Sequence, residues 1–411
     1  MKKVLIYIDP FIGHIIPTLG LSEKLIENQF DVHYCGVPDV TEIIARTQFS
    51  CSTIFEEYYP KGTVQKDTEV NANVISSILN GELDELINEI KPSILIMTAY
   101  NPVEAAAFYY KYKIKIFLLY FYFPVNTDFS KISFTDITKE RAVNLLMNDT
   151  NMGAVNFFID FLIREGHLIT SLKDVLSVFD HFYNIIISSP DFLTETPIIN
   201  QQDLYIGDCL PKDNILASYF DIESLKNKFY EQNRLGKKLI YFSLGSWADQ
   251  INYEKAQLII QNIIKSADDP LMDDYVILIA AANLYEQYKQ HQSDKIIMYK
   301  WVPQMEILHY ADIAILHGGM GGIKHSIMNE IPMIIVPLDF DQSENADRVV
   351  ANRLGAKMDA FSMSAEEIVS KINEVQNNDE IKLGLKKMKN SFEKISENNT
   401  LMSLINAEHI Y

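Results

Sequence analysis

The stretch WVPQMEILHYADIAILHGGMGGIKHSIMNEIPMIIVPLDFDQ, Trp301–Gln342, reads as strand, glycine-rich turn, short helix and strand. The apolar run Ile313–Gly319 closes on His317 and glycines, a helix is predicted to open near Ile323, and Met333–Asp339 is a second apolar run. A strand that returns after a crossover helix is the parallel βαβ unit, which sets the fold class as α/β. A buried core has no use for Trp301, Gln304, His317, Asp341 and Gln342 at these offsets. All sit where strands end, the edge at which ligands bind in such sheets.

The same alternation extends outward on both sides. Lys238–Ser246, Tyr275–Ala282 and Lys295–Val302 complete one strand series. Val4–Asp9, Asp31–Gly36, Ser93–Thr98, Ile114–Phe121 and Asn184–Pro190 form an earlier one, with helical spacing over Ile15–Phe30. These runs are short and do not alternate, as expected of strands covered by helices on both faces. The polar segment 213–235 has no clear strand and reads as a linker. The expected architecture is two Rossmann-like, doubly wound parallel-sheet domains, 1–212 and 236–411, facing each other across a cleft.

Composition narrows the function. A chain of 411 residues with 48% hydrophobic and 22% charged residues is long enough for two cores and has the balance of a globular protein. The formal charge of −19 argues against a nucleic-acid partner, which needs clustered Lys and Arg. An anionic ligand must then be held by a local device. Cys35, Cys51 and Cys209 lack metal-like spacing and read as reduced thiols. The first apolar run is broken by Asp9 and Pro10, unlike a signal peptide. The longest run, Ile116–Val125, falls short of the roughly 20 residues of a membrane helix. A cytoplasmic protein with no transmembrane segment is expected.

The local device is "LHGGMGG", Leu316–Gly322. Free backbone N–H groups and the positive end of a helix dipole suit a diphosphate there. Plain strand-to-helix turns also favour glycine, so the turn gains meaning only with its neighbours. A flat Trp301 at a strand end can stack on a base, and Asp341 with Gln342 can grip sugar hydroxyls. In the first domain, His14 follows the first strand beside Gly13, and histidine is a residue type suited to a general base. The dinucleotide fingerprint is absent from the first turn, "DPFIGH", which makes an NAD dehydrogenase the least favoured reading.

Taken together, Trp301, Pro303, Gln304, Leu308, His309, His317, Gly319, Pro332, Pro337, Asp341, Gln342 and Asn345 resemble in register the signature of family 1 glycosyltransferases. That nucleotide-sugar-dependent group includes plant, macrolide and bacterial natural-product enzymes. The resemblance extends to "GHIIP", Gly13–Pro17, and "YFSLGS", Tyr241–Ser246. It implies the GT-B fold and an inverting, metal-independent transfer of sugar from a UDP- or dTDP-sugar to a hydroxyl of an apolar small molecule, with no cofactor and no Asp-x-Asp metal motif. It further implies that Trp301 stacks on the base and that Val302 and Gln304 belong to the nucleotide site. His317, Ser246, Gly319 and the amides of Gly321 and Gly322 would hold the diphosphate, Asp341 and Gln342 the sugar, and His14 would be the base. Three positions depart from the pattern: His325 stands where many relatives carry a ribose-binding Glu, Gly321 and Gly322 replace an Asn/Ser pair, and Thr98 takes the place of the Asp that orients the catalytic His. Asp9 and Glu104 are the candidates to replace that Asp. The aromatic-rich region Tyr100–Phe182, with a helix expected over Asn156–Ile169, would line the acceptor pocket where it is not core. A catalytically impaired sugar-nucleotide-binding protein and a nucleotide-sugar epimerase are the alternatives.

Overall fold

The computed structural model describes residues 2–63, 72–212, 220–221, 223–227, 236–245, 252–398 and 400–406. The linker expected over 213–235 falls largely outside them. Two all-parallel sheets dominate. The first holds β1 (Lys3–Tyr7), β2 (Asp31–Gly36), β3 (Ser50–Thr53), β4 (Ile94–Thr98), β5 (Lys115–Tyr120), β6 (Tyr183–Ile186) and β7 (Asp203–Tyr205) in the order 3-2-1-4-5-6-7. The second holds β8 (Lys238–Ser243), β9 (Tyr275–Ala280), β10 (Ile296–Tyr299), β11 (Ile313–Leu316), β12 (Met333–Ile335) and β13 (Gly355–Lys357) in the order 10-9-8-11-12-13. The order reverses between β1 and β4 in one sheet and between β8 and β11 in the other. Those crevices are the topological switch points where ligands of open α/β sheets lie.

The central strands owe their place to burial on both faces. Every residue of β4 and β5 is buried, and Val4, Leu5 and Ile6 of β1 are fully inaccessible. Ile8, Phe121, Ile187, Leu244 and Val336 continue the apolar runs and are buried, yet lie beyond the ladders. The strands are therefore shorter than the runs that announce them, because apolarity marks burial while pairing needs a neighbouring strand.

The helix expected from Ile15 begins at Ile12, so His14 lies in a helical first turn rather than in a loop. The helix after the glycine turn opens at Met320 with Gly319 as its N-cap, one turn earlier than expected. The helix placed at Asn156–Ile169 runs Met152–Arg164. Most aromatics of this region, among them Phe117, Phe134, Phe158 and Phe182, are core.

The two domains touch directly. Glu344 accepts the backbone N–H of Asn126 at 2.6 Å, and the Arg348 guanidinium lies 5.1 Å from the ring centre of Phe123. Lys324, almost fully buried, donates to the Ile187 carbonyl at 3.3 Å, and burial draws its pKa down to about 8. The last helix, Thr400–Asn406, returns to the first domain, where Lys115 donates to the Leu404 carbonyl at 2.7 Å.

Candidate active site

At the switch point of the first sheet, the chain leaving β1 carries Asp9 and His14, and the chain leaving β4 carries Tyr100 and Asn101. The His14 ring is held as a layer in a stack. Phe121 lies parallel to it at 4.4 Å, Tyr100 at 5.4 Å on a 17° tilt, and Tyr122 stacks on Tyr100 at 4.9 Å. Phe11 meets it edge-on at 5.2 Å. Arg141 fixes Tyr100 by donating to its carbonyl at 2.8 Å and lying over its ring. The result is an imidazole of fixed plane in an aromatic wall, with Nδ1 3.5 Å from Asp9 Oδ2.

At the switch point of the second sheet, β8 leads to Gly245 and β11 to His317, Gly318 and Gly319. Gly245 has a φ of +80°, and a Cβ there would stand 2.8 Å from the His317 ring; one on Gly319 would stand 2.5 Å from its Nε2. These two glycines make room for the imidazole. Burial draws the His317 pKa down to about 4, opposed in part by the Ser243 backbone, so the ring is neutral near pH 7. Its buried Nδ1 has no partner among the described residues. No side chain caps the helix Met320–Met328, and the Cβ direction of Gly321 meets nothing within 4 Å. The first amides of that helix therefore receive no side-chain cap from the N-cap residue, as an anion site requires.

The flanks are organised by hydrogen bonds. Gln304 bonds His325 Nδ1 through its Nε2 at 3.0 Å and accepts from the Tyr241 hydroxyl at 3.4 Å. That places the His325 proton on Nε2. Burial, then Lys324 and His309, draws the His325 pKa down to about 3. Gln342 spends its Oε1 on the backbone N–H of Leu338 and Asp339 at 2.8 and 3.1 Å, which leaves its amide nitrogen to donate. Asp341 accepts from Asn345 at 2.7 Å, and Asn345 also donates to the Gly318 carbonyl at 3.0 Å, tying the loop after β12 to the glycine turn. Burial raises the Asp341 pKa and Asn345 opposes that shift.

Residues 223–391 match the family model described as UDP-glucoronosyl and UDP-glucosyl transferase. Over 98% of both chains, the protein is 24% identical to the uncharacterized UDP-glucosyltransferase YdhE of Bacillus subtilis. It is 25% identical to mouse UDP-glucuronosyltransferase 1A9 over 61% of this chain, a match that spans 45% of that longer protein. The fold superposes on the glycotransferase of kitacinnamycin with a TM-score of 0.71 at 17% identity, covering 98% of each chain. Spinosyn rhamnosyltransferase SpnG complexed with thymidine diphosphate gives 0.66 at 15%, covering 99% of this chain and all of that one. Residues 223–391 thus fall within that family's model, and the chain as a whole is similar to glycosyltransferases. Its two sheets form the GT-B fold.

Within this glycosyltransferase the expected site residues fall into two groups, one beyond the carboxyl ends of each sheet's strands; His317 follows β11 at the switch point, while Trp301 follows the edge strand β10 and Asp341 follows β12. Trp301 lies two residues past β10 and is 41% exposed, touched edge-on by Phe220, so it is no core tryptophan. Val302 as a whole residue is 2% exposed and packs in the core. Gln304 is occupied by His325 and Tyr241 rather than open. Ser246 lies outside the described residues. Thr98 is 1% exposed, and its hydroxyl accepts the Tyr100 N–H at 3.2 Å. Glu104 is buried and its charge raises the Tyr7 pKa, second to desolvation. Two features escaped the sequence reading. Gly245 lies inside the YFSLGS match, but one glycine after a strand does not by itself show that it makes room for His317. Asp339-Phe340-Asp341 does have Asp-x-Asp spacing, but Asp339 accepts its neighbour's N–H at 2.8 Å and Asp341 is engaged by Asn345. The described residues contain no cluster of three metal-ligating side chains, and no helix among them is long and apolar enough to cross a membrane.

Proposed function

We propose that this glycosyltransferase moves a sugar from a UDP- or dTDP-sugar to the hydroxyl of a flat, apolar small molecule, with inversion at the anomeric carbon. The observation that carries the reading is His14, an imidazole clamped between Phe121 and Tyr100 with a carboxylate at Nδ1. The acceptor oxygen attacks the anomeric carbon as its proton passes to His14 Nε2. The bond from that carbon to the diphosphate breaks, and its electron pair leaves with the nucleotide. The amides at Gly321 and Gly322, the positive end of their helix and the neutral His317 stabilise the departing charge, a task that needs groups oriented in advance.

Trp301 supplies the face for the base, and the amide of Gln342 with Asp341 addresses the sugar. The names of the relatives support both bases: the Bacillus protein is a UDP-glucosyltransferase and the spinosyn enzyme is complexed with thymidine diphosphate. Phe11, Tyr100 and Tyr122 around His14 favour a flat aromatic acceptor. A thermal-shift comparison of UDP-glucose, dTDP-glucose and NAD tests the donor reading, because a ligand that binds the folded state raises the midpoint. One of the two sugar nucleotides is expected to raise it and NAD to leave it unchanged. Stabilisation by NAD alone would overturn the reading.

A further inference from the structure

We infer that Asp9, itself held by Asn101, is the positioning carboxylate of His14, in place of a residue at Thr98; this rests on the reading of His14 as base. Three groups compete for the part. Thr98 is neutral, and its hydroxyl is bonded to the Tyr100 N–H. Glu104 is buried in the helix Pro102–Tyr112, and its charge raises the Tyr7 pKa. Asp9 alone among the described residues has an ion-pair contact with the imidazole, Oδ2 to Nδ1 at 3.5 Å. The side chains are 11% and 15% exposed, and neither of these two buried atoms has a hydrogen-bond partner among the described residues. Each is therefore the other's polar complement. The separation exceeds a hydrogen bond, as is common in ligand-free sites that tighten when substrate binds.

Asn101 settles which oxygen faces the ring. Its Nδ2 donates to Asp9 Oδ1 at 3.1 Å, turning Oδ2 towards His14. A carboxylate accepting the Nδ1 proton keeps the Nε2 lone pair free for the acceptor proton and stabilises the imidazolium that follows. The carboxylate thus reaches the ring from the β1 side of the crevice, while Asn101 on the β4 side holds it.

The same geometry makes a sharp test. In Asp9→Asn, Asn101 keeps the new carbonyl oxygen, so the amide N–H₂ faces His14 and donates to Nδ1. That locks the proton on Nε2, the tautomer that cannot act as base. Transfer from UDP-glucose to 4-methylphenol is compared with transfer to 4-nitrophenol at mildly alkaline pH, where the second phenol is already ionised and needs no base. Asp9→Asn is expected to slow transfer to 4-methylphenol on the order of 10²–10⁴-fold and to 4-nitrophenol less than about tenfold, with UDP affinity held. Asp9→Ala, which offers no competing donor, is expected to be no slower than Asp9→Asn. Equal losses with both phenols, no loss with either, or an alanine variant slower than the asparagine one would overturn the inference. His14→Ala is measured alongside. If it transfers at the parent rate, the base assignment fails; if it is slow while Asp9→Asn is fast, only the role of Asp9 fails.

Discussion

Acid should loosen the second domain through His325, and the size of the effect follows from its surroundings. His325 is 8% exposed, accepts from Gln304, and has its pKa lowered from 6.5 to about 3, chiefly by burial. Above pH 6.5 the residue is neutral in both folded and unfolded chains, and the stability it permits is fully present. As pH falls below 6.5 the unfolded chain takes up a proton that the folded chain refuses, and stability declines until pH reaches about 3. At about pH 5 the gap is about 1.5 pH units, or about 2 kcal/mol at 1.36 kcal/mol per unit. His325→Gln carries no titrating group and should lose this component while His317 contributes equally in both proteins. Both tryptophans, Trp247 and Trp301, belong to the second half of the chain, so their fluorescence in urea reports that domain. The expected result is that the parent loses about 2 kcal/mol more than His325→Gln between about pH 7 and pH 5. Parallel curves would refute the claim that His325 is held neutral by burial.

Three further outcomes concern the donor site. Trp301→Ala should weaken UDP or dTDP binding by about 1–3 kcal/mol, the scale of base–aromatic stacking, as read by calorimetry; unchanged affinity would remove the tryptophan from the site. Gly319→Ala places a Cβ 2.5 Å from His317 Nε2, so it should displace that ring and abolish most of the thermal shift given by UDP. A full shift would mean that the ring is not part of the diphosphate site. His325→Glu should raise the preference for UDP over dTDP in competition binding if this position faces the ribose, because a carboxylate accepts from ribose hydroxyls; an unchanged ratio would confine His325 to its bond with Gln304.

Much of this was legible in the sequence, for identifiable reasons. β4 and β5 lie under helices on both faces, so their unbroken apolar runs announced them. The short strands β3, Ser-Cys-Ser-Thr, β7 and β13, Gly-Ala-Lys, carry too little apolar patterning to be noticed, and they lie at or near the sheet edges. The candidate site residues were nameable because each follows an apolar run, and the carboxyl ends of such strands form one edge of the sheet. What stayed hidden depends on side-chain geometry. No spacing rule shows that Asp9 turns towards His14, that Gly245 and Gly319 vacate space for His317, or that Gln304 is engaged by His325.

The central claim, inverting transfer with His14 as the base, is tested most directly by one single-turnover measurement. UDP-α-glucose and 4-methylphenol are mixed with excess enzyme, parent or His14→Ala, and the glucoside is followed in time and its anomeric configuration read by proton NMR. The account expects the β-glucoside and UDP from the parent, with a rate about 10²–10⁴-fold lower in His14→Ala and UDP affinity nearly intact. An α-glucoside, or transfer by His14→Ala at the parent rate, would contradict it.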